Sequence, residues 1–364
     1  MPIKFGVIGC RRGRSFMRVC AAVGGATVAA IYDVDRERAD AAATEVGARA
    51  YGELDAFLES GIEAVVVASP LPYHAGQAVA ALERGVHVLS EVTACHTVED
   101  AAALVGAARR SSAVYMLAEN YRYLDEVELV RRMADDGRFG EIYFGEGEYL
   151  HDCKDLWRNP DGSLTWRGTG GLGVYCTHSL GPLLYIFRDR VSHVSAMANE
   201  GITFDPDISG PVQYVMQMRT ARGRVLRVRV DHTSPRPHQM AYYLVQGSSG
   251  AYEAWRGHGD RSKVWLADEH EPSRCAGGTE WHDLAGYREQ YIPDRLAVGE
   301  EARTGGHGTS EYWLLRDFLA AVRGEAPSPI DVHAALDYTM PGILAVESHR
   351  RGGAVMEVPD SRLA

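Results

Sequence analysis

The sequence predicts an α/β protein in two parts: an N-terminal dinucleotide-binding domain with a parallel sheet, then a C-terminal α/β domain with a large, mostly antiparallel open sheet. Three observations carry this. From residue 3 to about 121, short apolar runs alternate with amphipathic stretches, as βαβ units do. A glycine turn ends the first of those runs. After Tyr121 the strands lengthen, alternate apolar and polar residues, and are joined by glycine-rich turns. The domain boundary is therefore placed at 1–121 and 122–364.

Each element follows in order. The first part has strands IKFGVIG, ATVAAIYD, EAVVVASP, VHVLSE and AVYMLAENY, separated by helices over 15–23, 36–46, 74–84 and 98–110. The last helix has Thr97 to cap it, Glu99 and Asp100 at its positive end, and Arg109 and Arg110 at its negative end. A helix over 125–136 opens the second part. Strands EIYFGEGEYLHD, VLRVRVDH and MAYYLVQG follow, with turns ARGR and GSSGAY suited to hairpins. Helices near 310–323 and 332–350 return the chain, the second expected to pack back on the first domain, and AVMEVPD closes it.

Composition excludes several function classes. With 46% apolar and 24% charged residues, the 364-residue chain is an ordinary globular one. Lys and Arg number 38 against 49 Asp and Glu, a formal charge of −11, so neither nucleic acid nor an anionic membrane is an expected partner. The 6 cysteines (Cys10, Cys20, Cys95, Cys153, Cys176 and Cys275) form no Cys-x-x-Cys pair and read as reduced thiols. No apolar run is long enough for a membrane span, and a cytoplasmic location is expected.

The turn after the first strand reads Gly9-Cys10-Arg11-Arg12-Gly13-Arg14. In the dinucleotide fingerprint Gly-x-Gly-x-x-Gly, the glycines give a tight turn, close approach to a pyrophosphate, and close helix–strand packing. Gly9 supplies the first; Arg11 and Arg14 stand at the other two positions, with Gly13 displaced by one. Asp33 ends the second strand, where a carboxylate accepts from ribose hydroxyls and repels a 2′-phosphate, which favours NAD over NADP. Two possibilities stay open at this point. Arg11 or Arg12 pairs with the pyrophosphate, or Arg11 fills the phosphate space and the cofactor is gone.

The segments VVVASPLPYHAGQAVAALERGVHVLSEVTA, MLAENYRYL, EGEYLHD, YCTHSLGPL and IDVHAALDYTMPGILAVESHRRGG occur in an order that resembles the glucose-fructose oxidoreductase, inositol dehydrogenase and MocA (Gfo/Idh/MocA) family over nearly the whole chain. AENY, EGEYLHD and YCTHSLGP are most similar to its branch of NAD-dependent glycoside hydrolases, which includes α-N-acetylgalactosaminidases. The resemblance implies an N-terminal Rossmann domain binding NAD, a sugar or cyclitol substrate, and a homo-dimer or homo-tetramer built through the C-terminal sheet. It implies catalytic residues Glu119, Tyr149, His151, Tyr175 and His178. Ser69, Pro70, His74, Glu91 and Asn120 are implied as cofactor contacts beside Gly9, Arg11, Arg12, Gly13 and Asp33. Arg167 is implied as a substrate or nicotinamide contact. Typical family dehydrogenases carry Glu-Lys-Pro where this chain has Glu91-Val92-Thr93.

The residue types suit proton transfer. His178 falls at a helix start, where the positive helix end favours neutral imidazole. Tyr149 and His151, two apart on a strand, share a face. Tyrosine is a weak base at its reference pKa of ~10 and needs a partner. His307, in the glycine-rich stretch TGGHGTSEY, is a substrate-contact candidate. A metal at His151, Asp152 and Cys153 is not expected, because adjacent strand residues point to opposite faces. Three functions remain: an NAD-linked oxidoreductase acting on a sugar carbinol, an NAD-retaining hydrolase or lyase, and a cofactor-free sugar-binding protein.

Overall fold

The structure is a computed structural model and describes residues 1–168, 172–201, 204–208, 210–269 and 280–363; Cys275 lies outside them. The chain divides into two compact units. Met1–Leu124, Val298–Thr339 and the C-terminal residues from Ser361 form one, and Asp125–Ala297 with Met340–Asp360 form the other.

In chain order the first unit has β1 (Ile3–Ile8), α1 (Cys10–Val23), β2 (Ala26–Tyr32), α2 (Arg36–Val46), β3 (Arg49–Tyr51), α3 (Leu54–Leu58), β4 (Ala64–Val67), α4 (His74–Leu82), β5 (His87–Ser90), α5 (Val98–Arg110) and β6 (Tyr115–Leu117). Its sheet runs β3-β2-β1-β4-β5-β6, all parallel. The order reverses between β1 and β4, the switch point at whose carboxyl ends such sheets bind ligands. Every residue of β4 is buried, which explains its unbroken apolar sequence. The expected cap of α5 is present as a capping box, with Thr97 Oγ1 accepting from Asp100 N and Asp100 Oδ2 from Thr97 N.

One element differs in its start. Helix α1 begins at Cys10, directly after Gly9, whereas the sequence placed it near residue 15. Gly9 has φ +86°, and a Cβ there would stand 2.4 Å from the Ala68 carbonyl oxygen. A Cβ on Gly13 would stand 2.6 Å from Val7 Cγ1. Gly13 therefore performs the helix–strand packing of the fingerprint's third glycine in a loop one residue shorter.

The second unit holds α6 (Asp125–Asp135), β7 (Ile142–Leu150), α7 (Thr177–Phe187), β8 (Val191–Ala198), β9 (Gln213–Thr220), β10 (Val225–Asp231), β11 (Gln239–Gly247), β12 (Gly250–Glu253), β13 (Lys263–Leu266), β14 (His282–Asp283), α8 (Arg288–Tyr291) and α9 (Pro293–Leu296). The first unit then takes α10 (Ser310–Val322). Helix α11 (Val332–Arg350) begins in the first unit and ends in the second, which β15 (Met356–Glu357) completes as a two-residue edge strand. The nine-stranded sheet runs β14-β13-β12-β11-β7-β10-β9-β8-β15. Both expected hairpins form, β9–β10 and β11–β12. The one parallel pair among otherwise antiparallel neighbours is β7 with β10.

Helix α7 lies close on β7. A Cβ on Gly145 would come within 2.8 Å of Phe187, and one on Gly147 within 2.9 Å of Ser179 Cβ. Substituting Gly147→Ala should therefore overpack this contact and cost about 1–3 kcal/mol, measured as a lower midpoint of urea unfolding.

Candidate functional site

In the first unit, the turn after β1 fits a dinucleotide phosphate. The first turn of α1 carries no acidic residue and no side-chain cap, so its positive end is left to an anion. Arg11 is exposed. Asp33, buried at the end of β2, accepts from Cys10 N (2.7 Å) and Asp35 N (3.0 Å) and pairs with Arg38 Nη1 (3.2 Å). Its carboxylate thus locks the glycine turn to β2 while standing where a ribose would be read.

Arg12 turns toward acidic residues. Its Nε lies 2.6 Å from Glu91 Oε1 and its Nη2 3.1 Å from Glu311 Oε1. Burial alone would make the guanidinium easier to deprotonate, but the two carboxylates outweigh it and raise its pKa. Glu311, fully buried at the start of α10, also receives His307 Nδ1 (2.7 Å), His307 N (3.2 Å) and Asn120 Nδ2 (3.2 Å). A carboxylate can only accept, so His307 Nδ1 carries the proton toward it. Burial by itself pushes the Glu311 carboxyl up; His307 and then Arg12 reverse this and hold it at about 2. Glu311 drew no attention in the sequence because an acid in a helix's first turn is ordinary.

The remaining first-unit candidates have defined places. His74 opens α4, buried, with Nδ1 2.9 Å from Thr93 O and Nε2 2.7 Å from Ser69 O, and burial lowers its pKa. It spans the loops after β4 and β5. Ser69 Oγ donates to Gln77 (2.6 Å), and Pro70 precedes the short turn Leu71–Tyr73. Glu91 Oε2 accepts from Val92 N (3.1 Å). Glu119 is fully buried and its Oε1 caps the turn Asn120–Tyr123 by accepting from Tyr121 N (3.1 Å).

The second unit gathers Tyr149, His151, Tyr175 and His178. Tyr149 points from β7 toward α7, and its ring centroid lies 5.4 Å from His178 and 5.6 Å from Tyr175. His178 is the second residue of α7, its carbonyl held by Tyr243 Oη at 2.6 Å. His151 Nδ1 stands 3.1 Å from Tyr149 Oη and 3.2 Å from Cys153 Sγ. Burial, then the charges of His238 and Arg167, lower the His151 pKa to about 4. The imidazole is thus neutral near pH 7 and accepts the stronger phenolic donor. Burial pushes the Cys153 thiol up to about 11, so it remains protonated. Arg167 lies over the Trp166 ring at 4.3 Å.

Two members were not singled out in the sequence. Because β10 runs parallel to β7 with Val230 opposite Tyr149, His232 emerges on the same face, 5.7 Å from Tyr149 and 5.8 Å from Tyr175. His238 makes an edge contact with His151, centroids 4.4 Å apart. Among the described residues, no group of three or more His, Cys, Asp or Glu is placed to hold a metal, and no helix is long and apolar enough to cross a membrane.

Residues 3–119 match the oxidoreductase family model with an NAD-binding Rossmann fold, and residues 127–253 match the Gfo/Idh/MocA C-terminal domain. The chain belongs to the Gfo/Idh/MocA family. Residues 208–362 also match the C-terminal domain of glycosyl hydrolase family 109. A glycosyl hydrolase family 109 protein of Saccharopolyspora erythraea is 28% identical over 98% of this chain and 83% of its own length. An α-N-acetylgalactosaminidase of Tannerella forsythia is 28% identical over 82% of the chain and 70% of its own. Among solved structures, levoglucosan dehydrogenase with NADH and L-sorbose superposes with TM-score 0.83 at 21% identity, covering 99% of this chain and 100% of that one. The WlbA dehydrogenase of Bordetella pertussis with NADH and UDP-GlcNAcA gives 0.76 at 21%, with 98% of each covered. These two show the fold.

For a Gfo/Idh/MocA oxidoreductase, NAD is the cofactor, and the short glycine turn with Asp33 is the expected anchor that a substitution can test. Asp33→Ala should weaken NAD binding by about 1–3 kcal/mol through lost charged hydrogen bonds, read by titration calorimetry. A second expectation concerns His151. Its native pKa near 4 lies below the ordinary 6.5. The unfolded chain therefore binds the proton first, and this residue's contribution to stability, full above pH 6.5, is lost as pH falls toward 4. An NMR titration of the His151 ring should show a midpoint near 4.

Proposed function

We propose that this chain transfers a hydride between NAD and a carbinol of a sugar, glycoside or cyclitol, with Tyr149 taking the hydroxyl proton. The observation that carries this is the Tyr149 Oη to His151 Nδ1 hydrogen bond of 3.1 Å inside a wall of Tyr175, His178 and His232. A phenol whose proton points at a neutral imidazole can pass that proton on as it accepts another from substrate. His178, beside the same ring at a helix start, is the second group able to hold the proton. The aromatic wall excludes water and offers flat faces to the C–H surface of a sugar. Bound NAD would supply the hydride acceptor and, in the net hydrolytic version, its return.

That hydrolytic version is favoured by two observations. One is the match of residues 208–362 to the glycosyl hydrolase 109 C-terminal domain. The other is Val92, buried where typical family dehydrogenases place a lysine. Oxidation beside a glycosidic bond acidifies a neighbouring C–H, the leaving group departs by elimination, water adds, and the hydride returns to carbon, leaving no net redox change. The same proposal includes self-association through the open sheet face, and it is supported by the exposure there of Met197, Val215 and Val225 around the Arg227–Glu146 pair.

The two versions separate on cofactor turnover. Incubated with NAD and a panel of N-acetylgalactosaminides and other glycosides, the protein should release sugar with no lasting rise in reduced-nicotinamide absorbance. A steady rise matched to product assigns a net dehydrogenase. Failure to bind NAD at all removes both.

A further inference from the structure

His74, in the first unit, meets two acceptors at once. Its Nδ1 stands 2.9 Å from the Thr93 carbonyl oxygen and its Nε2 2.7 Å from the Ser69 carbonyl oxygen, and the residue is buried. A backbone carbonyl can only accept, and a neutral imidazole carries a single N–H, so a neutral ring satisfies one of these oxygens and turns a lone pair on the other. Both contacts are hydrogen bonds only when the ring holds a second proton.

The surroundings pull that second proton both ways. Burial opposes the charge and lowers the pKa below the ordinary 6.5, while the two carbonyls and Glu91 favour it. Glu91 is the charged group that acts on the ring, and it is itself paired with Arg12 on α1 at 2.6 Å. The residues that bring the two carbonyls are neutral: Ser69 gives its hydroxyl to Gln77 (2.6 Å) and Thr93 gives its own to Cys95 O (2.7 Å). A cation buried among carbonyls is therefore gained and lost inside the range where histidine titrates.

Both bonded loops abut the glycine turn. Ser69 follows β4, and a Cβ on Gly9 would stand 2.7 Å from Ser69 N. Thr93 follows β5 and shares its loop with Glu91, whose partner Arg12 lies in the first turn of α1. These are carboxyl ends of strands beside the switch point between β1 and β4, where such sheets bind ligands. A ring that ties Ser69 to Thr93 fixes the backbone on which the turn rests.

We infer that His74 positions these two loops for the cofactor through its second ring proton, so that NAD binds more tightly to the protein with a charged His74 than with a neutral one. The ring is buried between the loops and acts on NAD through them. The inference rests on NAD as the cofactor and is independent of the sugar chemistry proposed above. By linkage, acidification through the titration of His74 strengthens NAD binding, and bound NAD moves that titration to higher pH.

The test titrates the full chain, freed of bound nucleotide, with NAD by calorimetry between about pH 8 and pH 5. NAD should bind about tenfold more tightly at the acid end, whereas His74→Gln, which cannot gain a charge, should vary by less than about twofold across the range. NMR of the wild-type chain with isotope-labelled histidine reads the same coupling even if the variant fails to fold: NAD should raise the midpoint of the His74 ring by about one pH unit. A purely structural histidine would give a loss in the variant that is the same at every pH, and no movement of the midpoint. Three results overturn the inference: an NAD affinity independent of pH, a pH dependence that survives His74→Gln, or a His74 midpoint that NAD leaves in place or lowers. No NAD binding at any pH overturns it together with the cofactor assignment. NAD binding with the expected pH dependence but no turnover of any sugar upholds it and defeats only the hydride-transfer proposal.

Discussion

The close seat of α7 on β7 is the contact from which the second unit's chemistry is built. Two glycines on one face of β7, Gly145 and Gly147, remove the methyl groups that would hold the helix off, and Ser179 and Phe187 move into the space. His178 is carried with the helix, one residue before Ser179, and its ring arrives 5.4 Å from Tyr149. The backbone separation sets their distance, and packing, being short-ranged, makes that separation hard to vary.

In the first unit a different device holds the site. A conventional glycine turn relies on the absence of side chains to admit a diphosphate. Here the turn is a residue shorter, the helix starts at once, and the arginine beside it is drawn into Glu91 and Glu311. The guanidinium is thereby kept off the mouth of the turn, and the loop gains a fixed tether to α10. Such a pair is not strong evidence for stability, since burying the charges costs much of what their attraction returns. Its effect is to choose one arrangement of the turn.

Much of the fold was legible because strand and helix periodicities are local. The βαβ order, the capping box at Thr97 and both hairpin turns follow from neighbours in sequence. The parallel pairing of β7 and β10 does not: β10 is reached after two intervening strands and a hairpin, and only its register reveals that His232 shares a face with Tyr149. His238 was hidden for the same reason, lying in the loop before β11. Tyr149, His151, Tyr175 and His178 were named from motif resemblance, and the structure brings them into one cluster. The start of α1 was misplaced because four charged or glycine residues after Gly9 read as loop, whereas the displaced Gly13 packs on Val7 and lets the helix begin.

The tether between Arg12, Glu91 and Glu311 joins three segments far apart in the chain. A lineage that lost the Arg12 side chain would leave the Glu91 and Glu311 carboxylates without the cation between them, and would have to change them too. Aligned relatives should therefore show these three positions drifting in concert, so that the history of the turn is written partly in a helix some three hundred residues downstream.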